Sequence, residues 1–161
     1  AKELGATDVS QSALMSMHIG VVILGNLVAT AIVNRTGAQR LVRLSFVLTS
    51  VGLGGVALAP SLPLLFAAQF CVGLAQGLSY PVLMGMSIEH VGDAERTTAM
   101  GLHQAVYAVG MFSGPWLSGL LADAMGIRPM FGLTAVFCLG LALLLTHWLT
   151  TGQEPERSQL H

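Results

Sequence analysis

Charged side chains punctuate this chain in a few short clusters. Between them lie uncharged, mostly apolar runs: Val9–Asn34, Leu44–Ile88, Thr97–Ala122 and Pro129–Gln153. The second run is nearly twice as long as the others, and Pro60-Ser61-Leu62-Pro63 interrupts it near the middle. Proline fixes φ and ends helices, so this run divides into two. Five apolar stretches result: Ala13–Val33, Leu44–Pro60, Leu62–Ile88, Thr98–Ala122 and Met130–Leu149. A hydrocarbon core roughly 30 Å thick, crossed by a helix rising about 1.5 Å per residue, takes about 20 residues. Each stretch meets or approaches that length. The pattern predicts an all-α membrane protein. It is a single domain over 1–161, a bundle of five transmembrane helices followed by a polar cytoplasmic tail over 150–161.

Composition agrees. Hydrophobic residues make up 53% of the chain and charged ones 9%, against about 25% in ordinary soluble domains. The lipid bilayer is therefore the expected partner. A net charge of −1 without a basic stripe argues against nucleic acid. Cys71 and Cys138 both fall inside apolar stretches and read as packing residues. The chain begins at Ala1 without a cleavable signal pattern and reads as truncated at its start, while Gln153 to His161 reads as a natural end. Five crossings put the two ends on opposite sides. One side gathers Arg35, Arg40, Arg43, Arg96 and Arg157, the other Lys2 and Arg128. Short cytoplasmic loops are enriched in Lys and Arg, so the N-terminus is expected outside and the C-terminus in the cytoplasm.

The connections are short. Pro60–Pro63 reads as a tight turn, and so does Asp123–Arg128, where Gly126 can take positive φ. Consecutive helices are then antiparallel neighbours. Gly73 and Gly77 lie four apart, and Gly110, Gly114 and Gly119 mark one stretch of the fourth span. Small residues at such spacing let helix backbones approach in lipid.

Three local patterns resemble the major facilitator superfamily of secondary transporters. Thr30-Ala31-Ile32-Val33-Asn34-Arg35-Thr36-Gly37-Ala38-Gln39-Arg40 is similar to its loop motif G-x-x-x-D-R-x-G-x-R/K-R/K, with Thr30 and Asn34 replacing the Gly and the Asp. Gln69-Phe70-Cys71-Val72-Gly73-Leu74-Ala75-Gln76-Gly77 is similar to R-x-x-x-G-x-x-x-G, with Gln69 in place of the Arg. Gly110-Met111-Phe112-Ser113-Gly114-Pro115 resembles the G-x-x-x-G-P motif of antiporter-like members. The resemblance covers nearly the whole chain. It implies half of a twelve-helix fold, partnered by the missing N-terminal helices of the same transporter. The degenerate loop motif and Gln69 favour the second half, which would make these spans the eighth to twelfth. The first half, whose last five spans have the same sidedness, stays open. The resemblance also implies that Asn34, Arg35, Gly37 and Arg40 belong to a conformational latch, with Glu89, Asp93 and Glu95 as candidate partners. Topology determination alone would also explain the arginines.

Polar side chains in lipid are costly unless they face the bundle interior or a cavity, so each is a functional candidate. His103, Gln104 and Tyr107 cluster on the fourth span at helical spacing. They can hydrogen-bond a small-molecule substrate, and His103 can carry a proton. The competing reading is interhelical bonding that glues the bundle. Gln69 and Gln76, seven apart, share a face of the third span, followed by Ser79, Tyr80 and Pro81. Gln76 and Tyr80 are expected near the cavity, and Pro81 either gates or merely bends its helix. On the first span His18 and Asn26 share one side; Asn26 is a cavity candidate, and His18 is expected at headgroups or water. Trp148 fits an interfacial belt, and Trp116 is expected to pack beside Pro115.

The reading is part of a secondary active transporter moving a small organic solute by alternating access, with proton-coupled efflux the finer expectation. The alternative is a non-transporting membrane assembly module or truncated remnant. An intramembrane hydrolase built on Ser113 lacks a glycine-flanked nucleophile, since residue 111 is Met. Neither H-E-x-x-H nor any other metal or cofactor motif is found in the sequence, so no enzyme, metal or cofactor is expected.

Overall fold

A computed structural model describes residues 7–151. Lys2, Arg157 and the polar tail from 152 onward lie outside the described residues, as does the environment of the Trp148 side chain. Five helices follow one another: α1 (Asp8–Thr36), α2 (Ala38–Leu58), α3 (Leu62–Ile88), α4 (Arg96–Met125) and α5 (Ile127–Thr151). Each is long and apolar enough to cross a membrane, and no strand occurs among the described residues.

Most of the helices run past the apolar stretches. Arg40 and Arg43 sit in the opening turns of α2 rather than in a loop, because Gly37 alone links α1 to α2. It takes φ 86°, and its N–H bonds the Val33 carbonyl at 2.9 Å. Gly126 makes the same one-residue turn between α4 and α5 with φ 91°. A residue with a Cβ adopts that region with difficulty, so glycine is required at both corners. At the start of α1 the Thr7 hydroxyl caps the helix by accepting from the Ser10 amide at 3.2 Å. The α3–α4 connection carries an exposed Asp93–Arg96 ion pair at 3.2 Å, an arrangement that contributes little stability in water.

α3 lies at the centre, packed between α1 and α2, and α5 packs on the far side of α2. The buried cluster of Ala29, Leu41, Val42, Leu78 and Val82 joins the first three helices. α1 and α3 approach backbone to backbone. A methyl built on Gly77 would lie 2.9 Å from the Gly25 Cα and overlap the Val22 carbonyl. Gly52 serves the α2–α3 seam in the same way, 2.9 Å from the Ala68 carbonyl oxygen. Ser50 donates to the Ala135 carbonyl at 2.5 Å and ties α2 to α5.

α4 is peripheral. It contains no buried residue and touches only α3 and α5 to any extent. Gly110, Gly114 and Gly119 therefore have nothing within 4 Å of a Cβ position among the described residues. Trp116 is 64% exposed rather than packed beside Pro115, because no described helix covers that side of α4. Cys71 and Cys138 are free thiols.

Candidate functional site

Two ends of the bundle can be told apart. At one, Asn34, Arg35, Gly37, Arg40 and Glu89 line a polar cavity of about 470 Å³, so the α1–α2 corner and the end of α3 share a side. At the other, Arg128 donates to the Ala59 carbonyl at 3.4 Å, which joins the α2–α3 and α4–α5 corners. None of Arg35, Arg40 and Arg43 forms an ion pair with Glu89, Asp93 or Glu95 among the described residues; Asp93 is taken by Arg96.

Between the ends, α3 and α4 enclose a second cavity of about 120 Å³, lined by Gln76, Ser79, Tyr80, Leu83, His103 and Tyr107. The helical repeat explains the lining. Gln76, Ser79, Tyr80 and Leu83 follow one another at three- and four-residue steps along α3, and His103 and Tyr107 do so along α4. Both sets face the same space. The Tyr80 and Tyr107 rings meet edge to face, with centroids 5.4 Å apart and planes at 65°, a contact contributing about 0.5–1.5 kcal/mol beyond buried area. Gln104 reaches across and donates its Nε2–H to the Tyr80 hydroxyl at 3.0 Å. The candidates singled out on the third and fourth spans thus converge. Solute sites typically enclose about 300–1,000 Å³. This space is smaller than that.

Asn26 stands elsewhere. It lies in the α1–α3 seam, its backbone N 3.1 Å from where a Gly77 Cβ would sit, and its Oδ1 is buried with no hydrogen-bond partner among the described residues. His18 likewise faces α3 rather than headgroups: its Nδ1 lies 3.1 Å from Gln69 Nε2 and its Nε2 lies 3.1 Å from Gln76 Oε1. Sequence reasoning missed this junction, although the seven-residue spacing of the glutamines marked one half of it. Gly25 was missed too. Its spacing of four from Ala29, which is fully buried, was the available signal.

Ser113 donates to the Val109 carbonyl of its own helix at 2.8 Å, as helical serines commonly do. It faces no base. No group of His, Cys, Asp and Glu able to hold a metal occurs among the described residues. Pro81 and Pro115 lie inside α3 and α4, which continue through them. Neighbouring groups must satisfy the carbonyl that each proline leaves without its helical donor.

The family model described as Major Facilitator Superfamily matches residues 1–160. Among individual proteins, the chain is similar to "Probable anion transporter 7" of Oryza sativa subsp. japonica, 28% identical over 99% of this chain and 36% of the relative. It is 27% identical to "Putative metabolite transport protein YwtG" of Bacillus subtilis (strain 168), over 98% of this chain and 36% of the relative. It is 31% identical to "Multidrug resistance protein Stp" of Mycobacterium tuberculosis (strain ATCC 25618 / H37Rv), over 64% of this chain and 19% of the relative. The chain spans about a third of the length of the first two.

Proposed function

The chain belongs to the major facilitator superfamily, a family of transporters, and from that membership we propose that it forms five helices of the second half of a secondary transporter. The solute is a small organic compound, moved by alternating access, in which one bundle rocks against another around a midplane site. The observation that carries this reading is the α3–α4 cavity, where Gln76, Tyr80, His103 and Tyr107 converge in otherwise apolar helices. Polar groups held there at a desolvation cost are explained by a solute that bonds them. Its small volume and the unburied α4 fit a site completed by further helices of the same transporter.

The end bearing Arg35, Arg40 and Arg43 lies in the cytoplasm by the excess of arginines there. Arg35, Arg40 and Glu89 share one cavity without pairing, as the open position of a latch would. Reversing both charges, Arg35→Glu with Glu89→Arg, restores transport lost in either single variant if they pair during the cycle. A double variant no better than the singles removes the latch. Efflux fits the multidrug resistance name of one relative. His103, with no hydrogen bond among the described residues, is the group in this cavity suited to carry a coupled proton.

The test is flux of a panel of organic solutes into liposomes holding the full gene product, with and without a proton gradient. Gradient-dependent flux is expected, together with its loss in Gln104→Ala and Tyr107→Phe at normal yield. Unchanged flux in both variants removes the cavity from the mechanism.

A further inference from the structure

A residue outside the α3–α4 cavity bonds one of the side chains that line it. His18 on α1 is held between two glutamines of α3, at 3.1 Å on each ring nitrogen. Gly73 makes room for it: a methyl there would lie 3.1 Å from His18 Nδ1 and 3.1 Å from its carbonyl oxygen. An amide nitrogen can only donate and an amide oxygen can only accept. The row therefore runs one way. Gln69 Nε2–H donates to Nδ1, and Nε2–H of His18 donates to Gln76 Oε1. That direction requires the imidazole proton to sit on Nε2.

Gln76 also lines the cavity. Its carbonyl oxygen already accepts from His18, while the hydrogens of its NH₂ remain to donate. Across the cavity the Tyr80 oxygen accepts from Gln104, which leaves the Tyr80 hydrogen to donate. The Tyr107 hydroxyl has no partner among the described residues and can do the same. No carboxylate lines the space. Gln76, Tyr80 and Tyr107 thus each keep an N–H or O–H to donate, with the Ser79 and His103 side chains beside them, and hydrogen bonds to an ionised acceptor are roughly twice as strong as those to a neutral one.

We propose that the wall formed by Gln76, Tyr80 and Tyr107 is a subsite for the carboxylate of an organic acid, and that His18 is the positioning residue that sets its polarity by fixing the Gln76 amide. The proposal rests on the reading that this cavity binds the transported solute, and it deepens that reading to a substrate class.

Two measurements on the full gene product test it. The first is the nitrogen-15 spectrum of histidine-labelled protein in lipid nanodiscs, with His18 assigned by its loss in His18→Asn. A neutral ring protonated at Nε2 is expected. Protonation at Nδ1 overturns the proposal, because Gln69 could then not donate there. The second is binding of matched probes, with succinate, succinamide and diaminobutane as one set and benzoate, benzamide and benzylamine as another. The carboxylate of at least one set should bind best. Gln76→Glu, which replaces the donating nitrogen by oxygen, should weaken it by about tenfold or more. His18→Ala frees the Gln76 amide to turn and should narrow the preference for carboxylate over amide several-fold, at similar folded yield. Preference for the amines, or no change in Gln76→Glu, overturns the substrate class while leaving transport standing. Absence of both binding and flux for every solute overturns the transport reading and this one together.

Discussion

At Gly77 the absence of a side chain is what lets α1 and α3 touch. Any Cβ there would overlap the Val22 carbonyl and press on the Gly25 Cα. Backbone cannot give way as a flexible side chain can, so overpacking is costly, at about 1–3 kcal/mol or more. We expect Gly77→Val to lower the thermal unfolding temperature in detergent clearly, and Gly101→Val, with nothing within 4 Å among the described residues, to leave it nearly unchanged. Equal effects would mean that the seam is not where the structure has it. Asn26 offers the opposite experiment. Its Oδ1, buried with no partner among the described residues, costs about 1–3 kcal/mol of desolvation. Asn26→Leu should therefore stabilise the protein; destabilisation in the same assay would mean that the amide has a partner. At this scale the sequence was readable along each helix and opaque between helices. The step of seven joining Gln69 and Gln76, and the step of four joining His103 and Tyr107, follow from helix geometry alone. Which residue of α1 meets the glutamines depends on how α1 slides against α3, and no local pattern encodes that. His18 and Asn26 do share a side, as their spacing of eight requires, but that side faces the α3 seam.

Among the elements, α2 and α5 show how a helix pair is fastened in lipid, where apolar burial supplies no drive between helices. The Ser50 hydroxyl bonds the Ala135 carbonyl, and interhelical bonds of this kind contribute about 0.6 kcal/mol on average in membranes. Ser50→Ala should therefore cost about that much, up to roughly 1.7 kcal/mol, in a reversible unfolding titration. A loss of several kcal/mol would show that the serine does more than clasp α5. Helix number was legible from the apolar runs, because a span needs a minimum length of uncharged chain. Helix ends were less so. Arg40 and Arg43 continue α2 beyond the apolar run, since long basic side chains can reach out of the hydrocarbon while their helix stays in it. α4 makes a sharper demand. Phe112 is 84% exposed and its helix has no buried residue. If further helices of the transporter cover it, a photo-crosslinking phenylalanine at Phe112 of the full gene product will capture peptide from outside residues 1–161. Capture of lipid alone would leave α4 at the edge of the assembly.

For the whole molecule, sidedness and function meet in one arrangement. Corners alternate between a side rich in arginine and a side poor in it, with the α3–α4 cavity between. The family resemblance carried by the three motifs agreed with the match over residues 1–160. The solute was not legible, because the contacts between helices that shape a cavity are not encoded in the spacing along any one helix. The account's central claim is that this cavity lies on a route open in turn to either side of the membrane. The direct measurement is accessibility of a single cysteine, Ser79→Cys, in the full gene product with Cys71 and Cys138 changed to Ala. A membrane-impermeant maleimide should label it in both right-side-out and inside-out vesicles, and transported solute should slow the reaction. Labelling from neither side, or at a rate indifferent to every solute carried, would contradict the account.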